Sequence, residues 1–197
     1  MASQFSFLVL HTVLLTYLSS TLAMYSEGYF RLEVLFTHFD NTDGKIFNGK
    51  RCDAMTACDP IIYAYIDLEE PAAPYPGKAK RLRDFQQLVS ETGKNVIIMN
   101  AKMVKDMCIP VLLHQQKAVA VRAEVRDRDY FTPDDLIDEF DCRFNFIPKP
   151  GSLLESATGT WSSVQSCQAI NRPNKISLSF RWRAYPIMAS DCGYTVV

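Results

Sequence analysis

Apolar and polar residues alternate with period two in several stretches of this chain, the pattern of β-strands with one buried face. Lys117-Ala-Val-Ala-Val-Arg-Ala-Glu-Val125 is the clearest case. Segments 29–36, 61–67, 95–99, 140–146 and 175–185 follow it, and in the first of these Phe30, Leu32 and Val34 share one side. Turn-forming residues stand between them at 41–44, 48–49, 71–77 and 148–151. Segment 82–91 is the only candidate for a helix, and a short one. Such spacing, without repeats or heptads, predicts an all-β, antiparallel β-sandwich.

Residues 1–23 carry no charged side chain and include an apolar run at 5–18, followed by Ser-Ser-Thr-Leu-Ala23. This reads as a secretory signal cleaved after Ala23. A membrane anchor fits less well, because the apolar core is short and His11 interrupts it. Residues 24–197 then suffice for one domain with its own core. They hold all 21 basic and 22 acidic side chains, and that balance argues against nucleic acid, which needs a basic face.

Six cysteines, at 52, 58, 108, 142, 167 and 192, lie beyond the signal. An even count in a secreted chain predicts three disulfides. Six cysteines allow about fifteen connectivities, which sequence does not choose among; the pairing expected here joins Cys52 with Cys58 in one loop, with Cys108–Cys142 and Cys167–Cys192 closing longer ones. Their spacing does not suit zinc, since the chain has no Cys-x-x-Cys. No Asn-x-Ser/Thr acceptor for N-glycosylation occurs either.

The stretch after the clearest strand concentrates Asp127, Asp129 and Asp135 in one loop, and a second pair, Asp53 and Asp59, precedes the strand at 61–67. Like charges this dense repel unless a cation sits among them, and carboxylate oxygens are the ligands that Ca²⁺ prefers. An enzyme is not expected. The sequence holds no nucleophile elbow, Gly-rich phosphate loop or His-Glu-x-x-His.

The two acidic groups resemble the calcium loops of C2 domains. Asp53 stands six residues before Asp59, which opens Asp59-Pro-Ile-Ile-Tyr63. Asp127-Arg-Asp129 is followed by Thr132 and by Asp135-Leu-Ile. Asp138 replaces the usual glycine, a departure that concerns the turn more than the metal. The resemblance implies an eight-stranded sandwich, with Ca²⁺ held by Asp53, Asp59, Asp127, Asp129 and Asp135 at one end. It also implies binding to an anionic phospholipid surface. Tyr130 and Phe131, at the tip of the second loop, either enter that surface or pack back onto the sandwich.

A narrower likeness spans most of residues 24–197. Gly28-Tyr-Phe-Arg-Leu-Glu-Val34, Asn41 to Gly44, Phe47 to Cys52, Thr132 to Glu139 and Leu178 to Ala184 resemble the N-terminal C2-like domain of Notch ligands of the Delta and Jagged type. The chain ends near where that family begins its cysteine-rich receptor-binding module and EGF repeats. The expectation is therefore a stand-alone secreted relative that modulates Notch-type signalling. The alternative is a protein–protein module for a receptor or matrix protein, with calcium only structural.

The basic run Lys78 to Arg83 is read as a solvated face, or as a contact for sulfated glycans or phosphatidylserine. Asp40, Asp43 and Asp134 are read as turn formers. Trp161 and Trp182 are expected in the core or on a sheet face, with Arg181 and Arg183 on an outward strand face.

Overall fold

The alternating run at 117–125 lies in a strand, Lys117–Asp127, with Val119, Val121, Ala123 and Val125 sealed from solvent on one side. The chain's computed structural model describes residues 27–77, 81–149 and 159–194. Nine strands appear there: β1 Glu27–Asp40, β2 Pro60–Asp67, β3 Gln86–Ser90, β4 Val96–Leu112, β5 Lys117–Asp127, β6 Asp135–Phe146, β7 Gln165–Ser166, β8 Gln168–Ala169 and β9 Ser177–Ile187. They form two antiparallel sheets, ordered β4-β1-β9-β7 and β3-β2-β5-β6-β8. The expected eight strands become nine because β7 and β8 are two-residue pieces on either side of Cys167.

Inward side chains of both sheets make one core. Phe30, Leu32, Val34 and Phe36 of β1 meet Ile62 of β2, Phe140 of β6, and Leu178 and Phe180 of β9. Phe39 meets Phe140 edge-on at 6.4 Å, and the Trp182 ring stacks on Phe144 at 4.7 Å. Each such ring removed from water is worth about 1.5–3 kcal/mol, and that burial is what closes the two sheets on each other. Trp182 thus points inward. Arg181 and Arg183 point out and lie over the Trp161 ring at 5.0 and 4.7 Å.

Three sequence expectations need correction. Segment 82–91 is not a helix: a 3₁₀ turn at Leu82–Asp84 leads into the edge strand β3. The strand expected at 95–99 runs on to Leu112 as β4. The disulfides are Cys52–Cys58, Cys108–Cys192 and Cys142–Cys167, so only the first pair is as expected. Topology explains the other two. Cys108 and Cys142 belong to different sheets, whereas β6 and β8 pair Phe140 with Ala169 and Asp141 with Gln168, which brings Cys142 beside Cys167.

The outer face of the second sheet is not open. The Pro-rich segment after β2 folds across it and buries Arg122 completely. The Arg122 guanidinium lies 2.7 Å from Asp141 and 3.7 Å from Asp67, and it donates to the carbonyls of Pro71 and Ala73. Lys78, Ala79 and Lys80 fall outside the described residues, as does the expected signal at 1–23.

Candidate functional site

Sheet register brings the two acidic loops to the same end of the sandwich. Asp127, the last residue of β5, is opposite Pro60, the first of β2, and opposite Asp135, the first of β6. Directly opposed residues of antiparallel strands share a face, so Asp127 and Asp135 stand side by side. The backbone N–H of Asp59 donates to Asp127 Oδ1 at 2.6 Å. Asp59 Oδ1 in turn accepts the Gly93 N–H at 2.6 Å. Asp129 holds its place through its own N–H, which donates to Asp134 Oδ1 at 3.2 Å. Asp53 projects from the exposed loop between Cys52 and Cys58 and accepts the Thr56 hydroxyl at 2.7 Å.

The electrostatics of this end are those of an uncompensated acidic cluster. Among the described residues, no arginine, lysine or histidine forms an ion pair with any of the five aspartates. Asp127 is only 1% exposed, and burial pushes its carboxyl up to about 6. The Asp59 N–H pulls the other way, while the charges of Asp53, Asp129 and Asp59 add to the rise. All five side chains offer hard oxygen donors. The two nearest sulfurs, Cys52 Sγ and Cys58 Sγ, lie within 4.8 Å of an Asp127 oxygen but are bonded to each other and offer no thiolate. In chemistry the five carboxylates suit Ca²⁺, but among the described residues no three of them bring their oxygens within 4.8 Å of one another; the group that does so is Cys52, Cys58 and Asp127.

The other aspartates of this end are engaged structurally. Asp40 accepts from Thr42, Asp134 caps Asp129, and Asp43 lies 3.6 Å from Arg172. Asp138, where the resemblance expects glycine, is wholly buried. It accepts the N–H groups of Glu139, Asn171 and Arg172, together with the Asn171 side-chain amide. Arg172 then reaches Asn41 Oδ1 at 2.9 Å, and Asn41 Nδ2 lies 3.5 Å from Cys58 Sγ. A buried polar strut, Asp138–Arg172–Asn41, thereby runs from β6 to the first acidic loop. Sequence reasoning did not identify it, although Asn41 stood in an Asn-Thr-Asp-Gly turn.

Apolar side chains crown the same end. Tyr130 is 73% exposed and Phe131 wholly so, so neither ring packs back onto the sandwich. Met55, at the tip of the Cys52–Cys58 loop, is 96% exposed and was not singled out from the sequence; its place between two cysteines in an acidic loop was the available signal.

The sequence matches no protein-family model and no curated protein. Among solved structures, the fold is similar to a C2 domain protein from Ramazzottius varieornatus, with TM-score 0.72 and 26% identity over 87% of this chain and 96% of that one. Weaker likenesses include the C2A domain of plant Extended Synaptotagmin 1, with TM-score 0.45 and 8% identity over 83% of this chain and 98% of that one. Another is Drosophila C2-DSL-EGF1, with TM-score 0.43 and 13% identity over 79% of this chain and 67% of that one. The architecture is a C2-type sandwich.

Proposed function

We propose that this chain is a secreted, non-enzymatic C2 module whose acidic end binds Ca²⁺ and then docks on an anionic phospholipid surface. One observation carries the proposal: five carboxylates, none ion-paired with a cation among the described residues, stand in the two loops at the end that also exposes Met55, Tyr130 and Phe131. Asp53, Asp59, Asp127, Asp129 and Asp135 would hold one or two Ca²⁺ ions. The bound cation supplies positive potential at the loop tips and coordination positions for lipid phosphate oxygens. Met55, Tyr130 and Phe131 then enter the interface between headgroups and chains. A dissociation constant on the order of 10⁻⁴–10⁻³ M, the range of extracellular modules, suffices where calcium is millimolar, so the site is constitutive rather than a switch. The test is cosedimentation of residues 24–197 with phosphatidylserine vesicles. Binding in millimolar Ca²⁺ that chelator abolishes supports the proposal, and equal binding in chelator rejects it.

A protein–protein role is the second reading, and the exposed edge strand β4 favours it. Ile98 and Ile109 there are 88% and 82% exposed. A partner docking on that edge would bind unchanged when Tyr130 and Phe131 are replaced. A Notch-type receptor is the candidate partner, supported by the sequence motifs at 28–34, 132–139 and 178–184. Absence of binding to a Notch-type receptor ectodomain in surface plasmon resonance would reject it.

A further inference from the structure

Four of the five aspartates are fixed by the sheets or by backbone hydrogen bonds at the loop roots. Asp127 and Asp135 end paired strands, Asp59 is bonded to Asp127 and Gly93, and Asp129 to Asp134. Asp53 has no such support. Among the described residues, no backbone–backbone hydrogen bond involves residues 53–57, and Ala54, Met55 and Thr56 are exposed. The roots of this loop are well held. Cys52 N–H donates to the Gly44 carbonyl at 3.0 Å, Cys58 N–H to Asn95 Oδ1 at 3.0 Å, and the Cys58 carbonyl accepts the Lys94 N–H at 2.7 Å. Between the roots stands the Cys52–Cys58 disulfide, whose sulfurs lie within 4.8 Å of an Asp127 oxygen and rest on the buried Asn41 amide.

We propose that the Cys52–Cys58 disulfide is a positioning element for cation binding, holding Asp53 against the carboxylates of Asp59 and Asp127. Asp53 directly follows Cys52, so the cross-link fixes its Cα relative to the floor of the cup. Without it, the side chain and its loop must be ordered when the ion arrives, and that ordering weakens affinity. The other two disulfides, Cys108–Cys192 and Cys142–Cys167, join other parts of the fold and have no such relation to the cup. This inference rests on the calcium reading above.

Calorimetric Ca²⁺ titration of residues 24–197 tests it, using the wild type, C52S/C58S, D53N, D129N, and each Asp variant in the C52S/C58S background. The expected dissociation constant of C52S/C58S is roughly three- to tenfold weaker, the cost of ordering one loop side chain. D53N should cost clearly less in the C52S/C58S background than in the wild type, whereas D129N should cost the same in both. A general loss of stability would not produce that asymmetry. Unchanged affinity in C52S/C58S, or equal effects of background on both aspartates, overturns the proposal while leaving calcium binding intact. A wild type that binds no Ca²⁺ overturns the calcium reading itself, and this proposal with it. If C52S/C58S does not fold, NMR order parameters of residues 53–57 in chelated wild type decide: values near about 0.85 uphold a preset loop, and values below about 0.6 overturn it.

Discussion

Asp59 donates its backbone N–H to Oδ1 of Asp127 across 2.6 Å, so the last residue before β2 is tied to the last residue of β5. That bond satisfies one oxygen of a buried carboxylate. Its other oxygen has no hydrogen-bonding partner among the described residues. An ionised Asp127 is therefore costly in the metal-free fold, and a cation relieves the cost.

Replacing Asp127 with Asn keeps an oxygen for the Asp59 N–H and removes the buried charge. With chelator at neutral pH, Asp127→Asn should be more stable than the wild type by about 1–3 kcal/mol, since one pKa unit corresponds to about 1.4 kcal/mol. The same variant should lose the Ca²⁺-dependent rise in melting temperature. Parallel thermal melts with Ca²⁺ and with chelator read both effects. A variant that is less stable in chelator and still responds to Ca²⁺ contradicts the role assigned to Asp127.

The pH dependence follows from the same group. Its carboxyl titrates near 6 in the fold and near its ordinary value of 3.8 when unfolded. Below both values neither state is ionised, and the group costs nothing. Above both, the folded state bears the full cost of the buried charge. Stability without cation should therefore rise as pH falls from about 6 towards 4, with a slope of up to about 1.4 kcal/mol per pH unit from this group. The difference between wild type and Asp127→Asn, followed across pH in chelator, isolates the contribution. Calcium affinity should decline over the same window, because protons and Ca²⁺ compete for one carboxylate. A flat difference curve would mean that Asp127 titrates as an ordinary carboxyl.

The exposed tips make a prediction separable from the metal. A Met55→Ser, Tyr130→Ser, Phe131→Ser variant should bind Ca²⁺ as the wild type does. Its affinity for phosphatidylserine vesicles should fall at least about tenfold, since each apolar side chain moved out of water is worth about 1.5–3 kcal/mol at full burial. Calorimetry reports the metal and vesicle cosedimentation the lipid. Unchanged vesicle binding would shift the lipid contact away from these loops.

Much of this architecture was visible in the chain because β1, β5 and β9 each turn a run of alternate apolar side chains to the core, so period two is written directly into their residues. Edge strands are harder to read. β3 is half-exposed on both faces, so Gln86-Gln-Leu-Val-Ser90 carries no alternation and the sequence there reads as a short helix. β4 carries Lys102, Lys105 and Pro110 along its free edge, which broke the apolar pattern after Met99. The aspartates of the acidic end were legible because spacing from a strand terminus fixes where a loop side chain can go. Disulfide pairing was not, since it depends on which sheet each strand joins. Asp138 was noticed only as a missing glycine; the donors it satisfies arrive from Asn171 and Arg172, which no local pattern connects to it.

Asp138 is nonetheless open to test. Asp138→Ala removes the acceptor of three backbone N–H groups at a fully buried position and should destabilise the fold by about 2–4 kcal/mol. Asp138→Asn keeps Oδ1, which takes three of the four donors, and should lose less. Urea melts in saturating Ca²⁺ give both values, and equal stabilities for the two variants would deny Asp138 its anchoring role.

Arg122 bears on the opposite face of the second sheet. Its guanidinium is wholly buried beneath the Pro-rich segment and faces Asp141 and Asp67, with two backbone carbonyls completing its contacts. Arg122→Met fills much of the same volume but removes the guanidinium from two buried carboxylates, Asp67 at 6% and Asp141 at 8% exposure. Arg143 still reaches Asp141 at 2.7 Å, so Asp67 suffers the larger loss. Breaking one member of such a cluster costs about 3–5 kcal/mol, whereas replacing the whole cluster by neutral groups can cost little. Arg122→Met should accordingly unfold several degrees below the wild type. Arg122→Met combined with Asp67→Asn and Asp141→Asn should recover a substantial part of the deficit, with Ca²⁺ affinity unaltered because the cluster lies away from the acidic loops. Melting temperature and calcium titration of the two variants check this; a triple variant no more stable than Arg122→Met would show that the guanidinium's bonds to Pro71 and Ala73, rather than its charge, hold the segment across the sheet.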